Sequence, residues 1–232
     1  MSMADTERRG AGVLFAASGA VHVAAARAAA ASVRASNPGL PIAIFSDAPE
    51  PGPEFDHVVL LEKGRARSKV DSLFRTPFEH TLYLDTDTRV RGDLADMFRL
   101  LERFDLAVAQ VTRAYKDTYR KSWKADVPDA FPQHNGGVIL YRASPVALDF
   151  LRDWQANYDE AGVVGDQMTF RDLLWRSDLR FCVLPERYNL RRYSPFERLF
   201  SNRPEPVILH MNRFNPKKRK WIHRLLDPVL GA

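Results

Sequence analysis

The chain has 232 residues, 45% of them apolar and 27% charged, with a formal net charge of +5. That composition excludes a disordered chain and supports one sizeable core, so a single α/β domain is the first expectation. The one cysteine, Cys182, excludes an intramolecular disulfide and a CxxC zinc pattern, and it fits a reducing compartment.

The opening "MSMADTERRGAG" carries no apolar stretch behind its charges, so no secretory leader is expected. No apolar run approaches the roughly 20 residues of a membrane span. The first strand is "GVLFAAS" (12–18), ending in small residues, and the alanine-rich helix after it is stopped by "NPG" at 37–39. "LPIAIFSD" (40–47) is a second strand ending in an aspartate, "DHVVLLE" (56–62) a third, and "SKVDSLFRTPF" (68–78) a helix closed by its proline. "TLYLDTDT" is the fourth strand. In the second half, "FDLAVAQV" (104–111), "GGVILYR" (136–142) and "EPVILHMN" (205–212) are strand-like, while "PVALDFLRDWQANYDEA" (145–161) and "DQMTFRDLLWRS" read as helices.

Continuously apolar strands alternating with helices predict a mostly parallel sheet covered by helices on both faces. Ligands of such sheets sit off the carboxyl ends of the strands. Ser18, Asp47, Asp85 and Asp87 all fall at those ends.

The pair in "LYLDTDTRV" poses the sharpest question. Residues two apart on a strand face the same way, and a turn at Thr86 would still let the carboxylates converge. Two adjacent carboxylates repel, and one protonates unless a cation shares them. Oxygen ligands suit Mg²⁺ or Mn²⁺. The plainer reading is a polar turn.

An apolar strand followed by DxD resembles two families. In the haloacid dehalogenase-like phosphatases the pattern is DxDx[TV], which "LYLDTDTRV" fits, and Thr112, Lys116 and "GDQMTFRD" can be aligned with the later motifs. Those aspartates, however, end the first strand of their domain, and here three strand-like segments come earlier. The second family is the nucleotide-diphospho-sugar transferases of the GT-A fold, most similar to glycosyltransferase family 8 and its relatives. The pieces occur in that family's order: the first strand, "FSD", "SKVDSLFRTPFEHTLYLDTDTRV", "HNGGVILYR", "GDQMTF", "LPERYNL" and "VILHMN".

This resemblance implies a GT-A, Rossmann-like single domain over 1–232, with a nucleotide-binding half (1–100), an acceptor and catalytic half (101–212) and a basic tail (213–232). It implies a metal-dependent transferase moving sugar from a nucleotide-diphosphate donor, expected to be a uridine one, onto a saccharide or other hydroxyl acceptor with retention. Asp85, Asp87 and His210 resemble its Mn²⁺ (or Mg²⁺) ligands. Ala17 and Ser18 stand where the family's backbone meets base and ribose, and Asp47 where a carboxylate touches the base; the alternative for Asp47 is a helix cap or turn. Lys69 matches a basic position that reaches the donor, with Arg65 and Arg67 less well aligned. Thr86, Gly136 and Gly137 fall in donor-contacting segments, though the glycines also suit a bulge. Asn135 offers donor and acceptor atoms to hydroxyls. Asp166 and Gln167 resemble the Asp-Gln pair beside the donor sugar, and Asp166 also suits the N-cap of the helix it precedes. A non-catalytic nucleotide-sugar-binding protein is the third class.

The tail "RFNPKKRKWIHRLLDPVL" departs from the family's His-x-x-Gly-x-x-Lys segment, because Arg213 stands where the glycine would be. Lys217 or Lys218 would then meet the diphosphate. "WIHRLL" is short, basic and amphipathic, and suits either a solvated helix or an anionic membrane surface, where each basic residue contributes roughly 1 kcal/mol. The expected location is cytoplasmic, with peripheral contact at the inner membrane surface. A nucleic-acid site would need aromatics interleaved with a wider basic stripe, and the chain offers only this one cluster.

Overall fold

The computed structural model describes residues 8–61, 67–111, 122–163, 165–192 and 205–215. Its strands are β1 (Ala11–Ala17), β2 (Ile42–Ser46), β3 (His57–Leu60), β4 (His80–Leu84), β5 (Thr88–Val90), β6 (Leu106–Gln110), β7 (His134–Arg142), β8 (Phe181–Val183) and β9 (Ile208–His210). Its helices are α1 (Ala20–Ser36), α2 (Ser68–Ser72), α3 (Ala95–Phe98), α4 (Pro145–Ala161) and α5 (Gln167–Arg176).

Seven strands form the main sheet in the order β3-β2-β1-β4-β7-β6-β8, and β5 pairs with β9 in a separate two-stranded ribbon. Within the main sheet only β7 runs against the others: it is antiparallel to both β4 and β6, and every other pairing is parallel. The mostly parallel α/β sheet expected from the apolar runs is therefore present, with one reversed strand at its centre. Apolar content alone does not encode that reversal, since a central strand is buried on both faces whichever way it runs.

Alternation along each strand divides the core in two. Val13, Phe15, Ile42, Ile44, Leu82 and Leu84 face α1 and α3. Leu14, Phe45, Tyr83, Ile139 and Tyr141 face α2, α4 and α5. The alanines of α1 explain its close seat, for Ala26, Ala29 and Ala30 are at most 1% exposed. On the other face Trp154 of α4 stacks edge-on to Phe170 of α5, centroids 4.7 Å apart. Ser144 caps α4 through Ala147 N–H, Pro145 begins it, and Gly162 ends it at φ 59, a left-handed position that suits glycine.

Several elements are shorter than expected. The helix over 68–78 is α2 plus a 3₁₀ turn at Leu73–Arg75, because Thr76 precedes a proline and is forced to extended geometry (ψ 141). The fourth strand stops at Leu84, and Thr88 closes a turn by giving both N–H and Oγ1–H to the Asp85 carbonyl, at 3.2 and 2.8 Å. The late strand is only Ile208–His210.

Candidate active site

The DxD segment turns between two sheets. β4 carries Tyr83 and Leu84 to the sheet's carboxyl edge, and the turn after it feeds β5, whose Thr88 pairs with His210 of β9. The pairing brings an imidazole from late in the chain to the two carboxylates. His210 Nε2 lies 3.1 Å from Asp87 Oδ1 and 3.8 Å from Asp85 Oδ2. One ligand atom from each of the three residues fits within 4.8 Å of the others.

The groups behind these three set their chemistry. Tyr83 donates its hydroxyl to Asp85 Oδ1 at 2.8 Å. His210 Nδ1 pairs with Asn189 Oδ1 at 2.8 Å, which leaves Nε2 on the carboxylate side. A metal-binding histidine is characteristically oriented this way by its other nitrogen. Burial would raise the Asp87 carboxyl, but hydrogen bonding and charge from His210 and charge from Arg191 hold it at about 2. Two carboxylates and an imidazole are a donor set that fits Mn²⁺ or Mg²⁺.

Backbone shape admits this arrangement. β7 leaves register with β6 between Asn135 and Ile139, so Gly136, Gly137 and Val138 bulge toward the site. A Cβ on Gly137 would sit 2.1 Å from His210 Cε1 and 2.8 Å from Asp85 Oδ2. A Cβ on Gly136 would sit 2.9 Å from Lys69 Nζ. The bulge anticipated for these glycines is present. The Gly137 carbonyl also accepts from Asp85 N at 2.8 Å, tying bulge to turn.

Lys69 joins the metal corner to α5. Its ammonium, 4% exposed, lies 2.6 Å from Asp166 Oδ2 and 3.7 Å from Asp85 Oδ1, and donates to the Gly136 carbonyl at 2.8 Å. Burial would lower this pKa; Asp166 and Asp85 more than reverse it, and the lysine is held above its usual value. Burial would likewise raise Asp166, and Lys69 and Arg67 hold it below the carboxylate range. Asp166 does not cap α5 with its side chain, contrary to expectation. The carboxylate is drawn to Lys69 instead, because a buried ammonium is a stronger partner than a first-turn N–H.

The other expected residues lie along the same edge. Ala17 ends β1 and is buried, and Ser18 Oγ lies 2.7 Å from Ser68 Oγ, one residue before Lys69. Asp47 is exposed and accepts the Gly19 N–H at the mouth of α1 through both oxygens, each at 3.0 Å. Its capping expectation is met from outside the helix. Thr86 is half-buried in the turn, and Gln167 begins α5. Asn135 is buried and accepts the Gly137 N–H at 3.1 Å, so its side chain shapes the bulge. Arg213 stacks on Phe214, 4.8 Å from its ring centre. Arg65, Thr112, Lys116, Lys217, Lys218 and "WIHRLL" lie outside the described residues.

Sequence reasoning assigned no role to Tyr83, Asn189 or Arg191. Tyr83 was legible as a polar tip beside an acid two residues on. The other two converge on His210 because Leu190 bridges to Leu209 in parallel, so the alternate side chains 189 and 191 face the ring. Arg191 NH1 lies 2.7 Å from His210 Nε2 and 3.1 Å from Nδ1.

A family profile described as nucleotide-diphospho-sugar transferase matches residues 79–225. The curated proteins give no match. Among solved structures, the glycosyltransferase GlyE of Streptococcus pneumoniae TIGR4 is similar at 22% identity and TM-score 0.58, over 87% of this chain and 55% of that one. The chain thus spans about half of GlyE. The galactosyltransferase LgtC, solved with donor and acceptor sugar analogues, is similar at 17% identity and TM-score 0.59 over 94% of this chain and 95% of its own. Mouse xyloside xylosyltransferase 1 is similar at 17% identity and TM-score 0.55, over 86% of this chain and 96% of that one. These likenesses establish the GT-A fold. No helix among the described residues is long and apolar enough to cross a membrane.

Proposed function

The chain belongs to the nucleotide-diphospho-sugar transferases, and from that premise we propose that it is a metal-dependent glycosyltransferase moving a sugar from a uridine-diphosphate donor to an acceptor hydroxyl with retention. The observation that carries the metal is the convergence of Asp85, Asp87 and His210 around one point, with Gly137 cut back to leave the imidazole room. The family match does not favour the phosphatase reading, and the DxD ends the fourth strand of the sheet order, not the first.

Asp85, Asp87 and His210 would hold Mn²⁺ or Mg²⁺, which when bound supplies Lewis-acid stabilisation of a diphosphate leaving group. The chain's own residues do the rest. Ala17 and Ser18 offer the end of β1 to base and ribose, and the exposed Asp47 carboxylate accepts a base N–H. Thr86, Gly136 and Gly137 bring backbone against the donor, where side chains would block approach. Lys69 keeps Asp166 ionised and therefore acceptor-only, so Asp166 orients a sugar hydroxyl without giving up a proton. Gln167, next in the chain, and Asn135, at the bulge, would meet the donor sugar. The acceptor is a saccharide or other hydroxyl compound.

Thermal melting with nucleoside diphosphates and Mn²⁺ tests this directly. UDP and Mn²⁺ together should raise Tm more than either alone, and Asp87→Ala should lose that gain while keeping its fold. Slow, Mn²⁺-dependent release of nucleoside diphosphate from a sugar donor separates an enzyme from a binding protein. Melting that ignores Mn²⁺ with every nucleotide would sink the proposal.

A further inference from the structure

Arg191 brings a third claimant to the corner of Asp85, Asp87 and His210. Its NH1 stands 2.7 Å from His210 Nε2, closer than the 3.1 Å between that nitrogen and Asp87 Oδ1. The same NH1 stands 3.1 Å from Nδ1, and only a position over the ring lies so close to both nitrogens, so the guanidinium covers the imidazole while Asn189 Oδ1 meets Nδ1 at 2.8 Å. Arg191 therefore puts a positive charge against the imidazole that a metal ion would use, beside the two carboxylates that a metal ion would neutralise.

We propose that Arg191 is a built-in counter-cation of the site, opposing the divalent ion with its own charge while it covers His210 and leaving the corner when the ion enters. The inference rests on the metal reading proposed above. Held there, the guanidinium balances two carboxylates that would otherwise face each other. The same placement weakens metal binding by putting a positive charge where the ion must go. The backbone provides for the exchange. Residue 191 lies just past the single bridge between Leu190 and Leu209, with His210 N bonded to the Leu190 carbonyl at 2.9 Å. The side chain of Arg191 can thus turn away while Asn189, on the anchored side, keeps His210 oriented. The diphosphate of a bound donor would be the natural anion for the released guanidinium, so that metal and nucleotide bind more tightly together than apart.

The test compares wild type with Arg191→Met, which keeps the length and loses the charge and its N–H groups; Arg191→Gln serves if the methionine variant misfolds. Mn²⁺ binding is followed by the loss of the free-ion EPR signal without nucleotide, and Tm is read in EDTA and in saturating Mn²⁺. The variant should bind Mn²⁺ at least about tenfold more tightly than wild type. It should melt below wild type in EDTA, and Mn²⁺ should close or reverse that gap. A variant that binds Mn²⁺ as wild type does, or more weakly, overturns the inference and leaves the metal reading standing. So does an equal loss of Tm in both conditions, which marks Arg191 as packing alone. If neither protein binds Mn²⁺ at millimolar concentration, the metal reading fails with it.

Discussion

Gly137→Ala isolates the geometry of the proposed metal corner from its chemistry, because it changes no ligand. The backbone at 137 is not in the left-handed region, so alanine meets no conformational strain there. The new Cβ would lie 2.1 Å from His210 Cε1, and ordinary contact needs about 3.4 Å, so the ring must retreat by about 1.3 Å. Asp85 Oδ2 and His210 Nδ1, each at 2.8 Å, must give way as well. Metal–ligand distances tolerate only about 0.2 Å, and misplacing even an orienting partner costs roughly 10- to 100-fold in affinity. We therefore expect Mn²⁺ affinity, measured by EPR or calorimetry, to fall at least that far, with an overpacking cost of about 1–3 kcal/mol in stability. Gly136→Ala is the matched control. Its Cβ meets the end of a flexible lysine at 2.9 Å, which shifts more cheaply, so its effect on Mn²⁺ should be much smaller. If Gly137→Ala binds Mn²⁺ with wild-type affinity, the imidazole is not a ligand and the geometric argument fails.

Lys69→Met should leave Asp166 as an uncompensated buried charge, costing about 3–5 kcal/mol by chemical denaturation, and adding Asp166→Asn should recover a large part of that loss. A second change that adds its own full cost would show that the two side chains are not coupled. Asp172 predicts a pH dependence. Burial would raise its pKa, but N–H groups of Ala125, Trp123 and Lys124, with Arg176, hold it below the ordinary carboxylate value. Its contribution is therefore complete above the unfolded-state pKa near 4 and is lost as pH falls through the lower folded value. Asp172→Asn should flatten the acid limb of Tm against pH, and an unchanged limb would contradict the assignment.

The sheet edge was legible because a buried strand cannot carry a carboxylate in its middle. Where "IAIFSD" and "LYLD" meet an acid the strand has reached solvent or a ligand, and Ser18, Asp47, Asp85 and Asp87 followed from that. His210 was legible by the same logic from "VILH". The partners of these residues were not. Asp166 fitted an N-cap by local chemistry, and only the fold shows that a buried Lys69 draws its carboxylate away. Asn189 and Arg191 reach His210 through one long-range bridge, Leu190 to Leu209, which leaves no periodicity to read. The reversal of β7 between β4 and β6 was not legible either, because apolar runs do not carry strand direction.

The central claim is that Asp85, Asp87 and His210 together hold one divalent cation. Anomalous diffraction from crystals grown with Mn²⁺ and UDP tests it most directly. The account predicts a single manganese peak within about 2.5 Å of Asp87, of Asp85 and of His210 Nε2, with diphosphate oxygens completing the shell. Nucleotide bound at the sheet edge with no peak at that corner, or a peak held by other side chains, would contradict it.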